Sequence, residues 1–538
     1  MLELKVESLK NRGAWEDKGV ILPSYDYKKM MEKTIENPTW IHFGAGNIFR
    51  GFIAQLQQEI LNENLTDRGI IAVETFDYEI IDKIYTPYDN LTMLVRLNAD
   101  GRMENEVIAS IADSIKADMN IELEKKKLKD IFKNVSLQMV SFTITEKGYA
   151  LQSVNNEFMP VVLQDFEVGP DKPKHAMSIL TSLLYERYLV GEAPLAVVSM
   201  DNCSHNGEKI QNAVLTIAKE WKERGFVEER FLSYLKDEQK IAYPWSMIDK
   251  ITPRPSEVVK NNLGEIGIQD MEPVITSKNT FIAPFVNAEI PQYLVIEDAF
   301  PNGRPALEEA GVYFTDRETV NKIETMKVTT CLNPLHTALA VYGCILGYTS
   351  ISAEMKDPQL KLLVEKIGYQ EGMPVVVDPK IIKPEDFIKE VIEERLPNPY
   401  IPDTPQRIAT DTSQKVAIRF GETIKSYVAR DDLNAEELTF IPLAIAGWLR
   451  YLLGVDDSLK EMQVSADPLL DNLQKVLQGI KVGERKSYRG QVRELLANEN
   501  IFGLDLIKAG LGNKIEGMFL ELIDGEKAVR ETLKKYLV

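Results

Sequence analysis

Residues Trp40–Phe52 read WIHFGAGNIFRGF: a short apolar run, two glycines one residue apart, then the opening of an amphipathic stretch. A run of this kind is a buried strand, and paired glycines after it make a tight strand-to-helix turn. Such a turn brings bare backbone close to a phosphate while the following helix turns its positive N-terminus toward the charge. The apolar positions Ile48, Phe49, Phe52, Ile53, Leu56, Ile60 and Leu61 fall on one helical face, so a helix over 47–62 is expected to pack on a sheet.

Working outward, short β-branched or aromatic runs alternate with helical patterns. The runs are TWIHF (39–43), GIIAVETF (69–76), LTMLVRL (91–97), VSLQMVSFTI (135–144) and PLAVVSM (194–200). That alternation predicts a parallel sheet with crossover helices. After about residue 315 the strand pattern fades, and helices are expected at 334–348, 358–368, 434–454, 466–479 and 504–536. Between them, 375–432 is rich in proline and polar residues and reads as an ordered, irregular crossing segment more than a linker. The expected organisation is a Rossmann-type dinucleotide-binding domain over 1–315, with 1–38 as an N-terminal extension, and a mainly helical domain over 316–538. Ligand sites in such sheets lie beyond the carboxyl ends of the strands, and a cleft between the two domains is expected to gather Asn202, Lys327 and His336.

Composition excludes several classes. A net charge of −19 over 538 residues argues against non-specific nucleic-acid binding. The longest apolar stretch, TALAVYGCILG (337–347), is shorter than the roughly 20 residues a membrane span needs. Three cysteines without CxxC spacing and only four histidines leave no zinc signature and suit a reducing compartment, so a cytoplasmic, metal-independent protein is expected. The absence of a GxxxxGK[ST] loop disfavours phosphoryl transfer.

The glycine loop is imperfect as a dinucleotide fingerprint. Phe49 stands where a third glycine is usual, Gly51 is displaced, and Arg50 puts a cation in the first turn. Context strengthens it: a second strand ends in Glu74 and Asp77, either of which would accept ribose hydroxyls and repel a ribose phosphate, favouring NAD over NADP. Two further segments carry chemistry. SMDNCSHNG (199–207) follows a strand and offers the amide of Asn202, which can donate to an alkoxide without titrating. ETMKVTTCLNPLH (324–336) brings Lys327, Asn333 and His336 within ten residues at a helix start. Alcohol oxidation needs a base and an oxyanion partner, and a desolvated lysine can be that base. Taken singly, the first segment can equally cap the helix at Glu208–Trp221, Lys327 can be a solvated charge and His336 a core residue; their clustering favours chemistry.

FGAGNIFRGF (43–52), TITEKGY (143–149), VVSMDN (197–202), IDKITPRP (248–255), FPNGRPALEEAGV (300–312), LNPLHTALAVYGCILGY (332–348) and NPYIPDTPQRI (398–408) together resemble the mannitol dehydrogenase family of polyol-specific long-chain dehydrogenases. The resemblance implies NAD(P) chemistry without zinc, a lysine acid/base matching Lys327, oxyanion donors matching Asn202 and Asn333, and a substrate histidine matching His336. It further implies cofactor contacts along Phe43, Gly44, Ala45, Gly46, Asn47, Ile48 and Arg50, at Glu74 or Asp77, and at Thr145 and Glu146. Arg395 is left available to a substrate hydroxyl or carboxylate. The family spacing has four residues between lysine and asparagine, whereas five separate Lys327 from Asn333, so a local backbone adjustment is expected. The chain's length and enlarged loops suit the family's hexuronate branch, implying NAD-dependent reduction of D-fructuronate to D-mannonate. The alternatives are mannitol or tagaturonate chemistry, or a non-catalytic NAD(H)-binding sensor. The expected partners are a small sugar acid or polyol, with no nucleic acid or membrane, for a monomer or small homo-oligomer.

Overall fold

The run WIHF forms strand β1, Trp40–Phe43, in the middle of a six-stranded sheet. Its other members, in chain order, are β2 (Ile70–Glu74), β3 (Ile111–Lys116), β4 (Met139–Phe142), β5 (Leu195–Ser199) and β6 (Ile241–Ala242). The spatial order is β3-β2-β1-β4-β5-β6, and every neighbouring pair is parallel. This is the doubly wound order of dinucleotide-binding sheets, with the reversal of direction between β1 and β4. Central strands covered on both faces read as unbroken apolar runs. One face carries Ile41, Phe43, Val73, Val140, Phe142 and Val197 against Leu180, Leu183 and Trp221. The other carries Trp40, Ala72, Met139, Ala196 and Val198 against Phe52, Ile53 and Leu56. The computed structural model describes residues 2–153 and 155–537.

The stretch 91–97 does not join this sheet. Thr92–Leu97 forms a hairpin with Met103–Ile108 in a separate four-stranded sheet, flanked by Val20–Ile21 and by Phe285–Glu289. The third strand of the main sheet is instead Ile111–Lys116, whose edge position leaves Asp113 and Ser114 partly solvated and breaks the apolar run. The first 38 residues are built in: Trp15 is fully buried, and Val20–Ile21 pairs with Met103–Ile108.

The chain divides into two compact units, Met1–Asn321 and Lys322–Val538. The second is helical. Asn333–Leu346, Phe440–Tyr451 and Gly512–Leu522 form its centre. Gly447 lets two of these approach closely, since a Cβ there would lie 2.5 Å from the Tyr342 ring, and the Tyr342 hydroxyl donates to the Leu443 carbonyl at 2.7 Å. The Glu371 carboxylate caps the Phe440 helix, accepting from the backbone N–H groups of Thr439, Phe440 and Ile441 at 2.5, 2.9 and 2.7 Å. The segment 375–432 is largely helical: it holds Pro384–Glu390, Val391–Arg395, Pro405–Ile408, Ala417–Gly421 and Glu422–Ala429, with Pro384 and Pro405 in the first turns of theirs. The region 504–536 likewise resolves into two helices, Gly512–Leu522 and Ala528–Tyr536. Among the described residues no helix is long and apolar enough to cross a membrane.

Candidate active site

The glycine loop leaves β1 at Gly44, where φ is 109°. A Cβ at this position would stand 2.2 Å from the Thr143 carbonyl oxygen, so only glycine fits between β1 and the end of β4. At Gly46 a Cβ would meet nothing within 4 Å; that side of the loop is open. The missing third glycine is resolved in three ways. Phe49 is fully buried and stacks flat on His42, with centroids 4.3 Å apart. The helix begins as a wider π turn, Phe49–Ile53. Gly51, the displaced glycine, supplies the close approach, since a Cβ there would lie 2.6 Å from Val286 Cγ1. His42 itself is a core residue, bonded to the Ser141 and Thr143 hydroxyls at 2.6 and 2.8 Å, and burial pushes its pKa down to about 3.

Glu74 stands at the end of β2 beside this loop. Its Oε2 accepts from the Ala45 N–H at 3.0 Å, while Oε1 takes the backbone N–H groups of Thr75, Phe76 and Asp77 at 3.0, 2.8 and 3.1 Å. Asp77 is committed elsewhere: its Oδ2 accepts from the hydroxyls of Thr276 and Thr280, both at 2.5 Å. Arg50 turns inward, donating to the Ala283 carbonyl and to Asn47 Oδ1 at 2.8 Å each, and burial lowers its pKa to about 10. Asn47 in turn reaches the Pro253 carbonyl, tying the DKITP segment to the loop.

The carboxyl ends of β4 and β5 are held together by Asp201. Its Oδ2 accepts from the Ile144 N–H at 2.8 Å and from the Tyr149 hydroxyl at 2.6 Å, and burial raises its pKa. Thr145 sits in this turn at φ 65°, a conformation that a β-branched residue adopts only under constraint. Glu146 follows, exposed and paired with Lys209. Asn202 lies exposed one residue after Asp201. The helix behind it has no side-chain cap at His205, whereas Asn206, fully buried, bonds the Asp201 and Ser246 carbonyls at 3.1 and 2.9 Å. Sequence reading passed over Asn206; its place inside a polar cluster at a strand end was the only signal.

In the helical unit, Lys327 is 3% exposed and opens a π turn, Lys327–Cys331. The Leu332 N–H donates to the Lys327 carbonyl at 3.1 Å, a bond spanning five residues instead of four. The turn therefore absorbs the extra residue between Lys327 and Asn333, and the next helix starts at Asn333. The Asn333 carboxamide makes no hydrogen bond to any described residue; the residue's backbone carbonyl accepts from the Thr337 hydroxyl at 2.9 Å. His336 lies in the same first turn, with Nε2 3.5 Å from Asp403 Oδ2. Burial drives the His336 pKa down to about 4 against the pull of Asp403, with Arg419, Arg407 and Arg395 pushing the same way as burial. Arg395 is buried at the end of its own π turn, Val391–Arg395.

A family model described as the mannitol dehydrogenase Rossmann domain matches residues 38–309, and one described as the mannitol dehydrogenase C-terminal domain matches 319–522. The chain belongs to the mannitol dehydrogenase family. A D-mannonate oxidoreductase from Thermotoga maritima is 53% identical over 99% of both chains. Among solved structures, a mannitol 2-dehydrogenase of Pseudomonas fluorescens, in ternary complex with NAD and D-mannitol, is similar with a TM-score of 0.70 at 26% identity over 99% of both chains. A substrate-free D-sorbitol dehydrogenase shares the fold, with a TM-score of 0.78 at 24% identity over 97% of this chain and 98% of the other.

The mannitol dehydrogenase loop of this chain fits a dinucleotide: Gly44 has no room for a side chain, Gly46 is open, and Glu74 Oε2 keeps acceptor capacity beyond its single bond. Asp77 has none to spare at the oxygen held by two threonines. Among the described residues no group of three or more His, Cys, Asp or Glu is arranged to hold a metal ion.

Proposed function

We propose that the protein is an NAD-dependent oxidoreductase interconverting D-fructuronate and D-mannonate. The observation that carries this reading is the 53% identity, end to end, with a D-mannonate oxidoreductase. In this reading residues 1–315 serve the dinucleotide and 316–538 the sugar acid, with no nucleic-acid or membrane partner, in a cytoplasmic monomer or small homo-oligomer.

NADH, when bound, supplies the hydride that reduces the ketone carbon; the chain's own residues manage the cofactor's placement and the proton. Phe43 to Arg50 form the phosphate turn, with Thr145 and Glu146 at the neighbouring strand end and Glu74 toward the ribose hydroxyls. Glu74 is preferred to Asp77 because its Oε2 bonds the loop at Ala45 and keeps acceptor capacity there, whereas Asp77 is held by Thr276 and Thr280. The charge there disfavours a ribose phosphate, which selects NAD.

Lys327 Nζ gives a proton to the carbonyl oxygen during reduction and takes it from the hydroxyl during oxidation. Its burial supports this role, as does a π turn that keeps it at the head of the segment leading to Asn333. The amides of Asn202 and Asn333 donate to the oxygen as negative charge develops, and neither titrates during turnover. The uncommitted Asn333 carboxamide suits it to that task. His336, neutral at physiological pH, orients a substrate hydroxyl, and Arg395 takes a second polar group of the substrate.

NADH absorbance followed with D-fructuronate, D-tagaturonate and D-fructose side by side tests the reading. Highest kcat/KM is expected with D-fructuronate. Preference for D-fructose or D-tagaturonate would overturn the substrate assignment, and NADH binding without turnover of any ketone would leave a sensor.

A further inference from the structure

Arg395, Arg407 and Arg419 all bear on His336, and Asp403 is the acid that answers them there. Asp403 is shared, paired with Arg407 on one oxygen and facing His336 with the other. Arg419 has no such answer. Its Nη1 donates to the Thr337 hydroxyl at 2.5 Å, and among the described residues no carboxylate pairs with it. Arg419 is half-buried, and that burial lowers its pKa to about 10, which leaves it charged at neutral pH. Its guanidinium holds five donors, and among the described residues one side-chain acceptor, the Thr337 hydroxyl, serves them.

The position is fixed. Arg419 lies in the π turn Ala417–Gly421, which packs beside the Lys327–Cys331 turn and the Asn333 helix. Gly421 anchors it, since a Cβ there would sit 2.0 Å from the Phe502 carbonyl oxygen. The hydroxyl that Arg419 touches, on Thr337, donates in turn to the Asn333 carbonyl. Arg419 is thus one side chain removed from a proposed oxyanion donor, on the same helical face. Lys415, one turn earlier, donates to the Thr410 carbonyl, and burial and the like charge of Arg419 lower its pKa against the pull of Asp411 and Asp467.

We infer that Arg419 is the residue that receives the substrate's carboxylate, through a paired hydrogen bond from the guanidinium donors that Thr337 leaves unused. The inference rests on the proposed sugar-acid substrate and adds what a polyol does not require: a counter-charge for an anion. Arg395 then serves a hydroxyl. A bidentate guanidinium–carboxylate pair is both strong and geometrically selective, and a lysine reproduces the charge without the fork.

Steady-state reduction of D-fructuronate by Arg419→Gln and Arg419→Lys, with NADH affinity from fluorescence titration, tests this. In Arg419→Gln the KM for D-fructuronate should rise about 10–100-fold, the usual effect of losing a charged hydrogen bond, with NADH affinity within a factor of two. Arg419→Lys should recover part of the loss. An unchanged KM, or a fall in kcat and NADH affinity with no rise in KM, would assign Arg419 a structural role and overturn the inference. Wild-type protein inactive on D-fructuronate would overturn the function it rests on, and the carboxylate receptor with it.

Discussion

Glu354 is the carboxyl group most at odds with its surroundings. It is fully buried, and neither oxygen has a hydrogen-bond partner among the described residues. Gly343 makes room for it, since a Cβ there would lie 1.9 Å from Oε1. Burial, and then the charge of Asp357, raise its pKa from the ordinary 4.5 to about 9. Asp357 is itself satisfied by Arg530 at 2.6 Å and the Tyr348 hydroxyl at 2.7 Å, so it offers Glu354 no relief. Between pH 4.5 and 9 the native chain holds this proton while the unfolded chain has lost it. Stability therefore falls as pH rises through that window and levels off above it.

Each pH unit costs about 1.4 kcal/mol, which gives roughly 3 kcal/mol at pH 7 and about 6 kcal/mol by pH 9. That is a large share of the roughly 5–15 kcal/mol that holds a domain folded. Glu354→Gln keeps the shape and removes the titration. Urea unfolding followed by far-UV circular dichroism should find the two proteins alike near pH 5 and the variant increasingly more stable toward pH 9. Parallel pH–stability curves for variant and wild type would refute the argument, because they would mean that Glu354 ionises in the folded protein as easily as in the unfolded chain.

Lys327→Ala should lower turnover by about 10²–10⁴-fold with little change in NADH affinity, measured by stopped-flow reduction and fluorescence titration; near-normal turnover would move the base elsewhere, with His336 the next residue to test. Asn333→Ala should cost about 10²–10³-fold in kcat, and a loss confined to KM would count against an oxyanion role. NADH should bind more tightly than NADPH, and Asp77→Asn should leave that ratio unchanged; a variant that favours NADPH would return the selection to Asp77. Dialysis against a chelator should leave activity intact, and activity restored only by a divalent ion would refute the metal-free mechanism.

Much of the fold was legible because its signals are local. WIHF, the paired glycines and the acid after the second strand lie within forty residues and declare the start of a nucleotide sheet. The third strand escaped because Asp113 and Ser114 face solvent at the sheet edge, while the more apolar Thr92–Leu97 belongs to a sheet completed by Phe285–Glu289, almost two hundred residues away. Nothing local announces that pairing. Arginines gave as little local signal. Arg187 is fully buried and bonds the carbonyls of Phe132, Asn134, Leu137, Ala193 and Pro194, partners that no pattern around it announces. Lys327, Asn333 and His336 stood out only because three polar groups crowd the entrance of an otherwise apolar helix.

Lys327, Arg395 and Arg419 each lie in a π turn. An α-helix turns by about 100° per residue, so an insertion or deletion inside one ordinarily swings everything beyond it to another face. A π turn carries a surplus residue as a local bulge and leaves the flanking helix in phase. Segments of this kind can gain or lose a residue over evolutionary time while the side chains they present stay aimed where they were. Their length can drift between relatives without the chemistry drifting with it, and residue spacing along these stretches is a poor guide to which lysine or arginine corresponds to which.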